Sequence, residues 1–369
     1  MTRRAVIHAG LAMRKAALQV AMAPRRARRS ASSMRSGEIR KILFIRIDRV
    51  GDLVLSTPAI LALKEGFSAA ELTVLAGPAT APLLECNPHV DRVIVYDRSW
   101  GLREKIARLR ELQKIRFDLA VDPYDDRELE TAWIAGMSGA PLSVGYPCGG
   151  REAFFTTTAE LPDGSAHMAD VILGTLKPLG IGGLSTQPRV YLSPEERSRA
   201  AGWLAERRSI GKPLVGIHPG AHYETQRWPA EHYSALAGRL RTRFDVILFG
   251  GPADAGLVER IRSGIPGGAL TVVTPDIRRF AALLSCCRLL VCNNSGPLHV
   301  ACALGIPTLS FMGPTDARRW YPLGEGHTVL RLDDLPCIGC NRGVCPAGTL
   351  KCMRQITPDM AAEAVFRLV

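Results

Sequence analysis

The feature that most constrains this chain is an alternation, run through twice, of short continuous apolar segments with helix-patterned ones. The first series holds KILFIRI (41–47), ELTVLAG (71–77), RVIVYD (92–97) and FDLAVDP (117–123). Helical patterns separate or follow them: one through Lys64 with Leu53, Ile60, Leu61 and Leu63 on its apolar side, a short one near 80–86, and others at 101–116 and 127–137. The pattern restarts at PLVGIHPGA (213–221) and continues through DVILFGG (245–251), ALTVV (269–273), RLLVCNN (288–294) and PTLSFMG (307–313). Helical segments at 229–243, 254–263, 276–285 and 296–304 lie between these runs. Strands alternating with helices pack as a parallel, doubly wound sheet. Strands apolar throughout, rather than every second residue, need both sheet faces covered. The expected fold is therefore α/β, with two Rossmann-like doubly wound domains. A looser Pro-, Gly- and Thr-containing stretch (141–166), a helix at 167–181 and GGLSTQP (182–188) read as the connection. The expected boundaries are a tail over 1–40, an N-terminal domain over 41–185 and a C-terminal domain over 186–369.

Charge and cysteine content narrow the function. The net charge is +12, but residues 1–41 carry eleven Lys or Arg against Glu38 alone. The remainder of the chain is nearly neutral, so a nucleic-acid-binding body is not expected. Residues 5–22 are apolar and helix-prone but interrupted by Arg14 and Lys15, unlike the clean apolar core of a secretory signal. A disordered extension, a transit peptide and a basic helix on an anionic membrane surface all remain open. No run approaches a membrane span. Ten cysteines in 369 residues are too sparse for a secreted disulfide scaffold, which implies a reducing, cytoplasmic setting.

Ligands of doubly wound sheets bind at the carboxyl ends of the strands, so the turns there carry the chemistry. Neither G-x-G-x-x-G nor a P-loop follows the first strand, which disfavours nicotinamide dinucleotide and Walker-type chemistry. The turn IDRVGDLVLSTPA (47–59) instead puts Asp52 just after a glycine at a helix start. Such a carboxylate is either a favourable first-turn acid or a general base. In HPGAHYETQRWP (218–229), Gly220 and Ala221 let backbone approach a phosphate and Arg227 supplies a forked cation. FGGPAD (249–254) is a tight Gly250-Gly251 turn opening a helix. In CNNSGPLHVACALGIP (292–307), Ser295, Gly296 and Pro297 begin a helix whose free N–H groups suit an anion, with His299 one turn in. Three such turns in one half of the chain imply a nucleotide-diphosphate site.

At these residues the chain resembles glycosyltransferase family 9, the bacterial ADP-heptose:lipopolysaccharide heptosyltransferases. The resemblance rests on ILFIRIDRVGDLVLSTPAILALK (42–64), HPGAHYETQRWPAEHYSALAGRL (218–240), VILFGGPAD (246–254) and CNNSGPLHVACALGIPTLSFMGPTD (292–316). It implies a GT-B fold of two Rossmann-like domains facing across a cleft, with ADP-heptose on the C-terminal domain and an inner-core lipopolysaccharide sugar on the N-terminal one. It also implies inverting transfer in one displacement, with no cofactor required for catalysis and a cytoplasmic enzyme in peripheral contact with the inner membrane. Carried over by position, Asp52 is the general base. Gly220, Ala221, Arg227, Ser295 and Gly296 match diphosphate-binding positions, Gly250 and Gly251 face the nucleoside, and His299 orients the loop or meets the donor. Trp228 reads as a packing residue.

The chain departs from the family pattern in two places. Gln226 stands where relatives have Lys, and Asn294 where they have Asp. The first loses a cation. The second exchanges an acceptor-only carboxylate for an amide that also donates. These changes keep two other readings open: a non-catalytic sugar-nucleotide-binding relative, and a GT-B sugar-nucleotide epimerase. Cys337, Cys340, Cys345 and Cys352 lie close enough in sequence for a structural zinc or iron site, with reduced thiols or loop-tying disulfides as the other reading. The basic segment 101–116 (Arg103, Lys105, Arg108, Arg110, Lys114, Arg116) fits either an anionic acceptor or a solvated helix face.

Overall fold

A computed structural model describes residues 38–183, 185–208 and 211–369. Nearly all of the basic tail lies outside the described residues. The chain divides after Thr186 into two compact units.

Unit 1 holds strands β1 (Lys41–Arg46), β2 (Glu71–Ala76), β3 (Arg92–Val95), β4 (Leu119–Asp122), β5 (Leu142–Gly145) and β6 (Thr157–Thr158). They form one sheet in the order β3-β2-β1-β4-β5-β6, parallel throughout. Its helices are α1 (Val50–Leu55), α2 (Thr57–Gly66), α3 (Leu102–Ile115), α4 (Glu130–Met137) and α5 (Met168–Gly174). Leu43, Ile45 and Ala120, on the central strands, sit fully buried among Phe117, Ile134, Phe154 and Phe155. The continuous apolar character of β1 and β4 is thereby accounted for.

Unit 2 opens with α6 (Pro194–Ala205). Its strands are β7 (Leu214–His218), β8 (Asp245–Gly250), β9 (Leu270–Val273), β10 (Leu289–Asn293), β11 (Thr308–Phe311) and β12 (His327–Leu330). The sheet order is β12-β11-β10-β7-β8-β9, again parallel. Its further helices are α7 (Ala230–Leu240), α8 (Ala255–Ser263), α9 (Ile277–Leu284), α10 (Gly296–Ala303), α11 (Ala317–Trp320), α12 (Lys351–Arg354) and α13 (Pro358–Leu368). In both units the order reverses between the first and fourth strands. That is the topological switch point of a Rossmann sheet, where ligands bind beyond the strand carboxyl ends.

The structure departs from the sequence expectations in four places. The helix expected to run on to Lys64 splits at Ser56. Pro58 has no N–H to offer the Val54 carbonyl, and the Thr57 hydroxyl takes that carbonyl at 2.7 Å instead. The stretch 141–166 is not a simple connection, since it contributes the short strands β5 and β6. The helix expected over 167–181 ends at Gly174 and gives way to a 3₁₀ turn at Lys177–Leu179. Finally, α6, β12 and α13 extend the second series at its two ends. The start of α6 shows why it forms: Ser193 Oγ accepts the Glu196 N–H while the Glu196 carboxylate accepts the Ser193 N–H.

The core of unit 2 centres on Trp228. Its ring stacks on Phe311 at a centroid distance of 4.2 Å, and its Nε1–H donates to the Ile356 carbonyl at 2.8 Å. Trp228 is thus a packing residue, as expected, and it joins the loop after β7 to the start of the C-terminal helical segment. Trp228→Ala removes both contacts and is expected to destabilise unit 2 by roughly 3–5 kcal/mol, read as a lowered urea midpoint.

Candidate active site

In unit 1 the turn after β1 gathers charge at the switch point. Arg46, the last residue of β1, has a side chain only 3% exposed. Its Nε lies 3.3 Å from Asp48 Oδ1 and its Nη2 3.3 Å from Asp52 Oδ1. Nε also donates to the Asp52 carbonyl at 3.2 Å. The guanidinium lies over the Tyr124 ring at 4.6 Å. Tyr124 follows β4, and its hydroxyl accepts the Ile47 N–H at 2.9 Å. Beyond Tyr124, Arg151 is fully buried and donates to Asp122 at 2.6 Å and to Asp126 at 2.8 Å. The ends of β1 and β4 are therefore joined through Tyr124, by its bond to the Ile47 N–H and by the Arg46 guanidinium over its ring, while charge-assisted bonds brace each end separately.

These surroundings set the Asp52 carboxyl. Burial raises its pKa, Asp48 raises it further, and Arg46 and Arg49 pull it down; the balance is about 6. Burial opposes the Arg46 charge, but Asp48 and Asp52 together hold that guanidinium protonated well above its ordinary value. Burial lifts the Asp122 carboxyl too, with Arg151 working against it. Asp52 therefore combines a position in the first turn of α1 with a proton affinity suited to general base work near neutral pH.

Unit 2 brings its three turns to neighbouring strand ends. The polar residue organising them is Asn293, fully buried at the end of β10. Its Nδ2 donates to the Pro219 carbonyl at 2.7 Å, while its Oδ1 accepts the Trp228 N–H at 2.9 Å and the Tyr233 hydroxyl at 3.0 Å. The loop after β7 is thereby clamped to β10. The sequence reading named the adjacent Asn294. That residue is also buried, and its N–H donates to the Phe311 carbonyl at 3.3 Å.

Gly220 and the Gly250-Gly251 turn meet through Asp254. A Cβ at Gly220 would lie 2.5 Å from the Asp254 carboxylate, which also accepts the Gly251 N–H at 3.2 Å. The absent side chain at Gly220 thus makes room for a protein carboxylate, where the sequence suggested an approaching phosphate. His218 is buried beside this group; burial lowers its pKa and Asp254 opposes that. Arg227 turns back onto its own loop, donating through Nε and Nη2 to the Ala221 carbonyl at 3.1 and 3.0 Å. It also lines a cavity of ≈ 430 Å³ with Arg260, Arg354 and Glu224. Gln226 donates to Thr315 Oγ1 at 3.1 Å. The helix α10 begins at Gly296, with Ser295 as N-cap making no side-chain cap, so its first amides are not claimed by that hydroxyl. His299 is buried one turn in and tilts against Trp320 at 6.2 Å.

Residues 106–351, two thirds of the chain, match the family described as glycosyltransferase family 9 (heptosyltransferase). The chain belongs to glycosyltransferase family 9. It is 25% identical to lipooligosaccharide heptosyltransferase 2 of Haemophilus ducreyi over 89% of this chain and 99% of that one. A family 9 glycosyltransferase structure from Veillonella parvula superposes with a TM-score of 0.80 at 23% identity, covering 92% of this chain and 98% of that one. The Escherichia coli ADP-heptose lipopolysaccharide heptosyltransferase II structure does so with a TM-score of 0.75 at 24% identity, covering 89% and 98%. The protein is thus a transferase of the GT-B fold.

Two features that the sequence left open can be followed in this family 9 chain. Among the described residues no three His, Cys, Asp or Glu side chains are placed to hold a metal ion. Cys337, Cys340, Cys345 and Cys352 are all free thiols. Cys345 accepts backbone N–H groups from the 347–350 turn, which lowers its pKa. Cys352 packs against Gly313, and burial, aided by the other three cysteines, raises its pKa. The basic helix α3 is also partly neutralised: Lys105 pairs with Glu130 and Arg108 with Glu111, each at 2.6 Å. No helix among the described residues is long and apolar enough to cross a membrane.

Because the folded pKa of Asp52 lies above the 3.8 of a free carboxyl, its ionisation weakens the folded state as pH rises. That stability is present below about pH 4 and is lost as pH climbs through about 6. Asp52→Asn escapes the loss. Urea unfolding is expected to show the variant more stable by about 1–3 kcal/mol at pH 8, and no more stable than the parent at pH 4.

Proposed function

We propose that this chain is an inverting heptosyltransferase that moves a heptose from ADP-heptose to an inner-core sugar of lipopolysaccharide. The observation that carries the reading is the Asp52 carboxyl, oriented by Arg46 and raised to about 6. Its membership of family 9 and the heptosyltransferase names of its relatives supply the sugar and the acceptor class. Asp52 takes the proton from the acceptor hydroxyl as that oxygen attacks the anomeric carbon. The C–O bond to the diphosphate breaks on the opposite face, and ADP leaves with the electron pair. No catalytic cofactor enters this displacement.

Unit 2 supplies groups suited to the donor. The first amides of α10 favour the growing negative charge of the leaving diphosphate. Arg227 shapes that loop through Ala221, and Arg260 and Arg354 add positive charge near it. The Asp254 carboxylate at the Gly250-Gly251 turn is an acceptor suited to sugar or ribose hydroxyls. A retained base disfavours the non-catalytic reading, and an epimerase would have no use for an acceptor hydroxyl. We place the enzyme at the cytoplasmic face of the inner membrane, where a basic tail suits anionic lipid and a membrane-borne acceptor.

Asp52→Asn is expected to lower turnover of ADP-heptose with a core acceptor by roughly 10²–10⁴ while leaving ADP affinity in calorimetry unchanged. Undiminished turnover removes Asp52 from the mechanism. Arg227→Ala frees the loop at Ala221 and is expected to weaken ADP about tenfold, with little change in thermal stability.

A further inference from the structure

The turn after β1 contains a second carboxylate that the reaction as written does not use. Asp48 lies between β1 and α1, and its side chain, 18% exposed, is nearly as covered as that of Asp52 at 15%. One Arg46 guanidinium serves both. Asp48 Oδ1 is buried, and among the described residues it has no hydrogen-bond partner. Its 3.3 Å approach to Arg46 is an ion pair without hydrogen-bond alignment. Leaving a buried carboxylate oxygen so poorly satisfied, next to a second carboxylate, is a costly arrangement. Packing alone does not explain it, because an amide or a hydroxyl at 48 would fill the same place without the repulsion.

The arrangement does solve a chemical problem. A lone Arg beside Asp52 would orient the carboxylate, but it would also make that carboxylate a weak base. A second carboxylate on the same guanidinium keeps the orientation and cancels the acidifying charge. The remaining charged and titratable groups around Asp52 are Arg49 on the same turn and Asp122, Tyr124 and Asp125 at the end of β4, with Arg151 behind Tyr124. Asp125 acts on Asp52 in the same sense as Asp48 but more weakly, and Arg49 acts in the opposite sense.

We propose that Asp48 is a positioning residue whose charge, shared through Arg46, sets how readily Asp52 accepts a proton. This rests on Asp52 being the base, and the test separates the two claims. Asp48→Asn keeps the shape and removes the charge. Two readouts are compared with the parent: the pH profile of kcat/KM, and the titration of the Asp52 carboxyl by infrared difference against Asp52→Asn, which needs no turnover. In Asp48→Asn the Asp52 titration and the acid limb of the profile are both expected to fall by about one to two pH units. At pH 8 kcat falls about three- to tenfold as the base weakens, with KM for the donor unchanged. Asp48→Glu restores both readouts toward the parent. Asp48→Ser, smaller and uncharged, shifts them as Asn does, which guards against a packing defect peculiar to one variant. An Asp52 titration that stays put in both uncharged variants overturns the proposal, whatever Asp52 does. If the titration falls but the acid limb does not, Asp48 still governs Asp52, and it is the base assignment that fails.

Discussion

Unit 1 depends on one buried guanidinium. Arg46 ends β1, reaches two carboxylates of the following turn, holds the Asp52 carbonyl and lies over the ring of Tyr124 beyond β4. A cation buried this deeply is tolerable only with such partners. In turn those partners fix where α1 begins and where Asp52 points. The 3-2-1-4-5-6 strand order makes this geometry available, because it sets the carboxyl ends of β1 and β4 side by side at the switch point.

Unit 2 uses the same design with a neutral residue. Asn293, at the end of β10, spends both ends of its amide on the loop after β7, through Pro219 and Trp228. Trp228 then anchors that loop in the core by stacking on Phe311. Asp254 joins the first two turns by filling the space over Gly220. Each switch point is thus held by a buried polar side chain that bonds to the turn or loop beside its strand, which keeps the surrounding backbone in one arrangement before any ligand arrives.

Much of this was legible in the sequence, for identifiable reasons. Parallel strands buried on both faces leave continuous apolar runs, so β1, β2, β7, β8 and β10 stand out. The strands β5, β6 and β12 do not: β6 has two residues, and in Leu142–Gly145 and His327–Leu330 polar residues or glycine break the apolar run. Asp52 was legible because Gly51 and the helix start mark it. Arg46 and Asp48 were in plain view but unreadable, since their meaning lies in sharing one ion pair with a residue several positions on. Asn293 hid beside Asn294, and only the strand end distinguishes them. The turn of the Arg227 guanidinium onto Ala221 was not legible, because nothing local reveals it. The cysteine cluster stayed open for the complementary reason: spacing along the chain brings the four sulfurs near one another, as the effect of the other three on Cys352 shows, but does not say whether they hold a metal.

The central claim is a single displacement driven by one base, and the anomeric outcome tests it most directly. With ADP-heptose and a purified lipopolysaccharide core lacking its outer heptose, NMR of the product should show one new glycosidic bond of anomeric configuration opposite to the donor, with one ADP released per bond formed. Retained configuration would require a second displacement and a nucleophile that this account does not contain, and it would contradict the account.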